Sequence, residues 1–202
     1  MKKSILFIAL VTVAGSLFAQ QQASSSGVVN LTAAPDAKAD RKKTTTSGTI
    51  SFNATTAKDA LPKADNKTVV GSINTKKGGV AFEAMIKNFT FEKSMMQEHF
   101  NSATWMDSEK FPTATFKGSL TNLAAIDFKK DGTYPAEVAG DLTIHGVTKA
   151  VKTAGSISVS GKSIKVACAF TILLSDYGIN GPAIAAGKVA LETKISVAAE
   201  MN

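Results

Sequence analysis

Between positions 164 and 174 every second residue is apolar. Ile164, Val166, Cys168, Phe170, Ile172 and Leu174 share one parity, while Lys165, Ala167, Ala169, Thr171, Leu173 and Ser175 share the other. Val189, Leu191, Ile195 and Val197 repeat the pattern against Lys188, Glu192, Lys194, Ser196 and Glu200. A period of two with one polar face is that of antiparallel strands with one side in a core and the other in water. The same period excludes long helices here. Six further strands are predicted over 45–55 (Ile50 and Phe52 inward), 67–75 (Val69, Ile73), 78–87 (Val80, Phe82, Ile86), 113–121 (Phe116), 136–144 (Val138, Leu142, Ile144) and 147–159 (Val151, Ile157, Val159). His145-Gly146 and Gly161-Lys162 suit two-residue hairpins, and Lys77-Gly78 suits a turn before the third strand. One stretch breaks the alternation: Ser94 followed by Met95 to Phe100 predicts a helical turn between strands three and four, with Ser94 as N-cap. Eight antiparallel strands with one apolar face close as a barrel or stack as a sandwich. A closed barrel of that size is either filled by side chains or holds one small ligand. The pattern alone leaves both choices open.

The N-terminus has a different texture. Met1-Lys2-Lys3 precedes an apolar run from Ile5 to Ala14 and then Gly15-Ser16-Leu17-Phe18-Ala19. A basic start, a short apolar segment and a small residue before a polar stretch predict a secretory signal peptide over 1–19, cleaved after Ala19. The run is shorter than the roughly 20 apolar residues that span a bilayer, so no stable membrane insertion is expected. Residues 20–43 are rich in Gln, Ser, Ala, Lys and Asp, with Val28, Val29 and Leu31 as the only large apolar side chains. They read as a flexible polar leader ahead of a barrel domain over 44–202.

Charge then narrows the function classes. The chain of 202 residues carries a net charge of +7, and loss of Lys2 and Lys3, with no acid, reduces it to +5. Arg41-Lys42-Lys43 sit together beside the patterned region, and the remaining Lys residues are scattered, often next to acids as in Glu92-Lys93. No aromatic residues interleave with a basic stripe, which argues against nucleic acid as a partner. The single Cys excludes an internal disulfide framework, and Cys168 lies on the inward row, where a thiol behaves as a small hydrophobe. Four Asn-x-Thr triplets begin at Asn30, Asn53, Asn66 and Asn88. They would carry glycans only in a eukaryotic secretory pathway.

Catalytic chemistry has little to work with. His99 and His145 are the two histidines, and neither falls in an HxH or HExxH spacing. His145 reads as a turn residue held by local hydrogen bonds, and His99 as a partly buried imidazole bonded to backbone. No glycine-rich phosphate loop follows a strand, so no cofactor is expected. Enzymatic use of the scaffold would require one of the histidines.

Three segments in the middle of the chain carry a family resemblance. They are Met95-Met96-Gln97-Glu98-His99-Phe100-Asn101, Phe111-Pro112-Thr113-Ala114-Thr115-Phe116 and Gly140-Asp141-Leu142-Thr143-Ile144-His145-Gly146-Val147-Thr148-Lys149. Together with the closing Phe170-Thr171-Ile172-Leu173-Leu174-Ser175-Asp176-Tyr177-Gly178-Ile179, and in this order, they resemble the YceI family. The resemblance implies an all-β, eight-stranded, lipocalin-like antiparallel barrel that is hollow, in a bacterial periplasmic or secreted protein. It also implies a long-chain isoprenoid or acyl lipid as partner: a polyisoprenoid, an isoprenoid quinone or a fatty-acyl species. On this reading the chain is a non-catalytic binding protein, and a homodimer is compatible with it. The alternative is a surface-interaction or structural envelope module with a filled barrel. Inward parity nominates Phe52, Phe82, Ile86, Phe116, Leu142, Ile157, Val166, Phe170, Ile172 and Leu191 as lining. Phe89, Phe91, Met95 and Phe100 surround the helical turn and are expected to cap one end. Tyr177 and Asn180 are the expected partners of a polar head group at the barrel mouth.

Overall fold

The computed structural model describes residues 41–202, so the expected signal peptide and residues 20–40 of the expected leader lie outside the described residues. Nine strands form one antiparallel sheet: β1 (Lys42–Asn53), β2 (Lys63–Asn74), β3 (Gly79–Met85), β4 (Thr90–Phe91), β5 (Thr113–Leu120), β6 (Gly132–Ile144), β7 (Val147–Ser160), β8 (Ser163–Leu173) and β9 (Glu192–Met201). Pairing runs β2-β3-β5-β6-β7-β8-β9-β1, and β1 pairs again with β2. Eight strands thereby close an up-and-down barrel in which neighbours in space are neighbours in sequence, apart from the two-residue β4, which adds to β2 through Ala64 and Asp65. Closure leaves no long sheet edge to pair with another chain. β1 begins at Lys42, so the last two residues expected in the leader are part of the wall. β2 and β6 start four residues earlier than their patterns indicate, and β9 starts three residues after Val189.

Hairpin chemistry follows the turn residues. His145 and Gly146 have φ of 51° and 74°, the two positive values that a type I′ turn requires between Ile144 and Val147. His145 is held differently from the sequence expectation. Its Nδ1 donates to the carbonyl of Tyr177, 32 residues away, at 3.3 Å, and its ring stands edge-on to Phe111 with centroids 4.5 Å apart. The helix α1 spans Ser94–Asn101, but its N-cap is Lys93 and no side chain caps it, so Ser94 is the first helical residue. Eight residues are too few for an independent helix. Met96 and Phe100, one turn apart on the same face, anchor it to the core. A second short helix, α2 (Pro182–Ala185), was not signalled by the pattern.

The interior separates into two apolar groups. One, at the end carrying α1 and the β6–β7 turn, includes Ile86, Phe89, Phe91, Leu142, Ile172 and Leu174. The other fills the opposite end with Val80, Ile126, Val159, Ile164, Ala199 and Met201, and Phe82 and Phe116 pack against both. The first end is the mouth of the barrel and the second its floor. Outward positions such as Lys165, Thr171, Lys194 and Glu200 are exposed. This apolar-in, polar-out order is the inverse of a membrane-spanning barrel. Among the described residues no helix is long and apolar enough to cross a membrane.

Closure depends on irregularities in β1 and β2. Thr45 pairs with Gly71 and Gly48 with Val69, which places one extra residue on β1; Ile50 then pairs with Asn66, which places one extra on β2. Such bulges bend a strand and increase its twist. Asn66, at 0% exposure, holds the second one: its Oδ1 accepts from the backbone N–H and the hydroxyl of Thr68 at 2.9 Å each, and its Nδ2 donates to the Met85 carbonyl at 2.9 Å. Burial also removes this Asn-x-Thr triplet from any modifying enzyme. Asn66→Ala removes the partner of the Met85 carbonyl and of the Thr68 N–H and leaves a gap where the buried amide stood. We expect a loss of about 1–3 kcal/mol, read as a lower urea midpoint at unchanged slope.

Candidate ligand cavity

Inside the barrel lies a cavity of about 330 Å³. This is within the size range of small-molecule sites. Its wall is built by inward residues of all eight barrel strands, with Ile50, Phe82, Ala114, Leu142, Val151, Phe170 and Ile195 among them, and by the segments that cross the mouth. Polar side chains on the wall are few. Thr193 is buried and donates to the Ala190 carbonyl at 3.4 Å, and Thr153 donates to the Ala169 carbonyl at 3.3 Å, so both hydroxyls are spent on backbone.

Glycines shape the lumen as much as the large residues do. A Cβ at Gly71 would stand 2.5 Å from the Phe82 ring, and one at Gly118 would stand 2.7 Å from Phe116. The two rings therefore lie flat on bare backbone instead of crossing the lumen. At the mouth, Phe52 stacks on Phe100 with centroids 5.4 Å apart, and Phe89 and Phe91 meet both rings at 5.0–5.8 Å. Trp105, on the loop after α1, covers Gly181 so closely that a Cβ there would meet its ring at 2.8 Å. The α1 flap and the 181–189 segment thus touch over the opening, and Ala183 and Val189 join the wall.

Twelve of the sixteen nominated residues stand on this wall: Phe52, Phe82, Ile86, Phe89, Phe91, Phe100, Phe116, Leu142, Ile157, Val166, Phe170 and Ile172. Four do not. Met95 is 66% exposed, because the helical period points its neighbour Met96 inward in its place. Leu191 is 43% exposed: it precedes β9, and its carbonyl accepts from the Leu174 N–H at 3.0 Å. Tyr177 is 2% exposed, packed in the mouth-end core behind the wall, and Asn180 points to solvent. Neither lines the cavity. His99 is exposed and reaches the wall at its outer rim, unlike the partly buried imidazole expected. Trp105, Met106 and Ile179 line the cavity from irregular segments and Ala183 from the one-turn α2, where no periodicity marks them.

The family model for the YceI-like domain matches residues 21–201. The chain belongs to the YceI-like family. Among curated relatives, a UPF0312 protein of Pseudomonas putida strain W619 is 34% identical over 106 residues, 50% of each chain, and one of Pseudomonas fluorescens is 31% identical over 104 residues, 48% of this chain and 50% of the relative. The chain thus spans about half the length of the curated relatives it matches. Among solved structures, a polyisoprenoid binding domain from Saccharophagus degradans implicated in plant cell wall breakdown superposes with a TM-score of 0.68 at 13% identity, covering 80% of this chain and 98% of that one. BcnA of Burkholderia cenocepacia superposes with a TM-score of 0.63 at 17% identity, covering 76% and 95%. At such identities the likeness concerns the fold.

Cys168 reports on the lumen. Burial raises its thiol pKa above the ordinary value of 9.0. Burial, and then the neighbouring Asp176 carboxylate, raise the Tyr177 phenol likewise. Both acids stay neutral in the folded chain at a pH where the unfolded chain ionises. Their stabilisation is therefore whole below the unfolded pKa and is lost as pH rises past it. We expect the melting temperature to fall above pH 9.0, and the fall to be shallower in Cys168→Ala; scanning calorimetry across alkaline pH checks this.

Proposed function

We propose that the chain is an exported, non-catalytic binding protein that holds one long apolar or amphiphilic ligand, a polyisoprenoid, an isoprenoid quinone or a fatty-acyl species, inside its barrel. The observation that carries the reading is the hollow lumen, whose wall is predominantly apolar from the mouth cluster to the floor and whose Thr153 and Thr193 hydroxyls are bonded to backbone. Such a wall has little to offer a polar solute, whereas each buried methylene gains about 0.8 kcal/mol. About five methylenes offset the lower end of the cost of immobilising a ligand, about 4–15 kcal/mol, and a longer tail offsets more of it. The fold shared with a domain described as polyisoprenoid binding supports the same ligand class. A head group would remain at the rim beside His99. The filled-barrel alternative finds no support in a lumen of this size.

Export rests on the basic, apolar and small-residue order of positions 1–19. The mature chain is proposed to begin at Gln20 and to reside in the periplasm or outside the cell, with residues 20–41 ahead of the barrel.

Native mass spectrometry of the protein from its own envelope fraction, followed by organic extraction, tests both halves. One chain lipid per barrel, on a polypeptide beginning at Gln20, is expected. A barrel that carries no lipid and binds no fluorescent fatty acid overturns the ligand assignment, and an intact Met1 in the envelope fraction overturns the cleavage.

A further inference from the structure

We propose that the cavity is a blind channel whose floor measures ligand length, so that the protein selects an apolar tail of about sixteen carbons in extended form. This rests on the ligand reading above and adds to it where the channel ends and which residues end it. The wall descends as far as Ile73, Val80, Leu120, Ala136 and Ile157. Beyond that level Ile126, Val159, Ile164, Ala199 and Met201 are buried against one another and touch no part of the cavity. The interior below Ala136 is therefore packed, and a tail entering from the mouth stops there.

The depth follows from strand geometry. Eight residues separate Ile144 from Ala136 on β6. At about 3.4 Å per residue and a tilt of about 40°, they span about 20 Å along the barrel axis. An extended carbon chain, with bonds of about 1.5 Å meeting near 111°, advances about 1.25 Å per carbon. About sixteen carbons fill the channel. A longer tail must fold back or protrude past the rim, and its extra methylenes gain no burial.

Ala136 is the control point, because it is buried, small and lines the deepest level. Ala136→Phe raises the floor by about one inward position, two residues or about 5 Å, which removes room for about four carbons. Leu120→Ala opens the same level and lowers the floor.

The test uses the full chain, delipidated, with saturated n-alkyl carboxylic acids of about eight to about twenty-four carbons competing against a fluorescent fatty acid, where each buried methylene tightens binding about fourfold. Affinity is expected to rise at that rate to about sixteen carbons and then level off. The break should move about four carbons shorter in Ala136→Phe and move longer in Leu120→Ala. Shifts of opposite sign cannot arise from partial unfolding, and Leu120→Ala alone suffices if Ala136→Phe does not fold. Affinity that keeps rising to about twenty-four carbons, or a break unmoved by the variants, overturns the floor while leaving the ligand reading intact. No binding at any length overturns both.

Discussion

Everything inside the barrel depends on how β1 joins its two neighbours. The strand pairs with β2 along its length and with β9 over residues 49–53, and it can do both because a residue is inserted first on its own side and then on that of β2. The glycine between the two irregularities is the tight point: a Cβ at Gly48 would press on the Val69 carbonyl at 3.2 Å and on Ala199 at 3.3 Å. Closure converts the alternation of each strand into an inside and an outside shared by all eight. Without it the sheet would leave two long edges unpaired, and its apolar face would lie open to water.

A closed wall does not by itself make a hollow one. Eight strands leave an interior that ordinary side chains can fill, and at the floor they do so. Higher up, small residues alternate with rings laid flat: Gly71 beneath Phe82, Gly118 beneath Phe116, and Gly140 opposite Gly118. The aromatic surface is retained while the centre stays open. The mouth uses aromatics differently, joining four phenylalanines from β1, the β3–β5 connection and α1 into one cluster. The exposed ion pairs, such as Lys152 with Glu137 and Lys165 with Glu200, decorate the outer face and add little to this framework.

The regular part of the molecule was legible in the chain because a period of two has one interpretation once it runs for ten residues. The β8 row from Ile164 to Ile172 is the clearest case, and every inward residue read there is inward in the structure. Choosing a hollow barrel over a filled barrel or a sandwich needed the family resemblance, since inward parity says nothing of what the inward residues meet. Errors concentrate where the period ends. Leu191 continues the inward parity of β9, yet the backbone leaves the strand before it, and its carbonyl bonds to Leu174. Met95 and Met96 are identical in character, and only the phase of a helix held by tertiary contacts separates them. Tyr177 was assigned to the rim from its place in a loop motif. The His145 bond to its carbonyl instead fixes that segment inward. Trp105 and Ala183 have no pattern at all, because their role comes from two flaps meeting across the mouth.

The direction of β1 has a further consequence. It enters at Lys42, opposite Asn74 on the floor side, and climbs to Phe52 at the mouth, while β9 descends to Met201. Thr44 and Asn202 exchange backbone hydrogen bonds of 3.1 and 3.2 Å, so the two ends of the described chain leave side by side from beneath the plugged end. Any fusion, label or solid support joined at either point hangs from the base of the vessel and leaves its opening unobstructed.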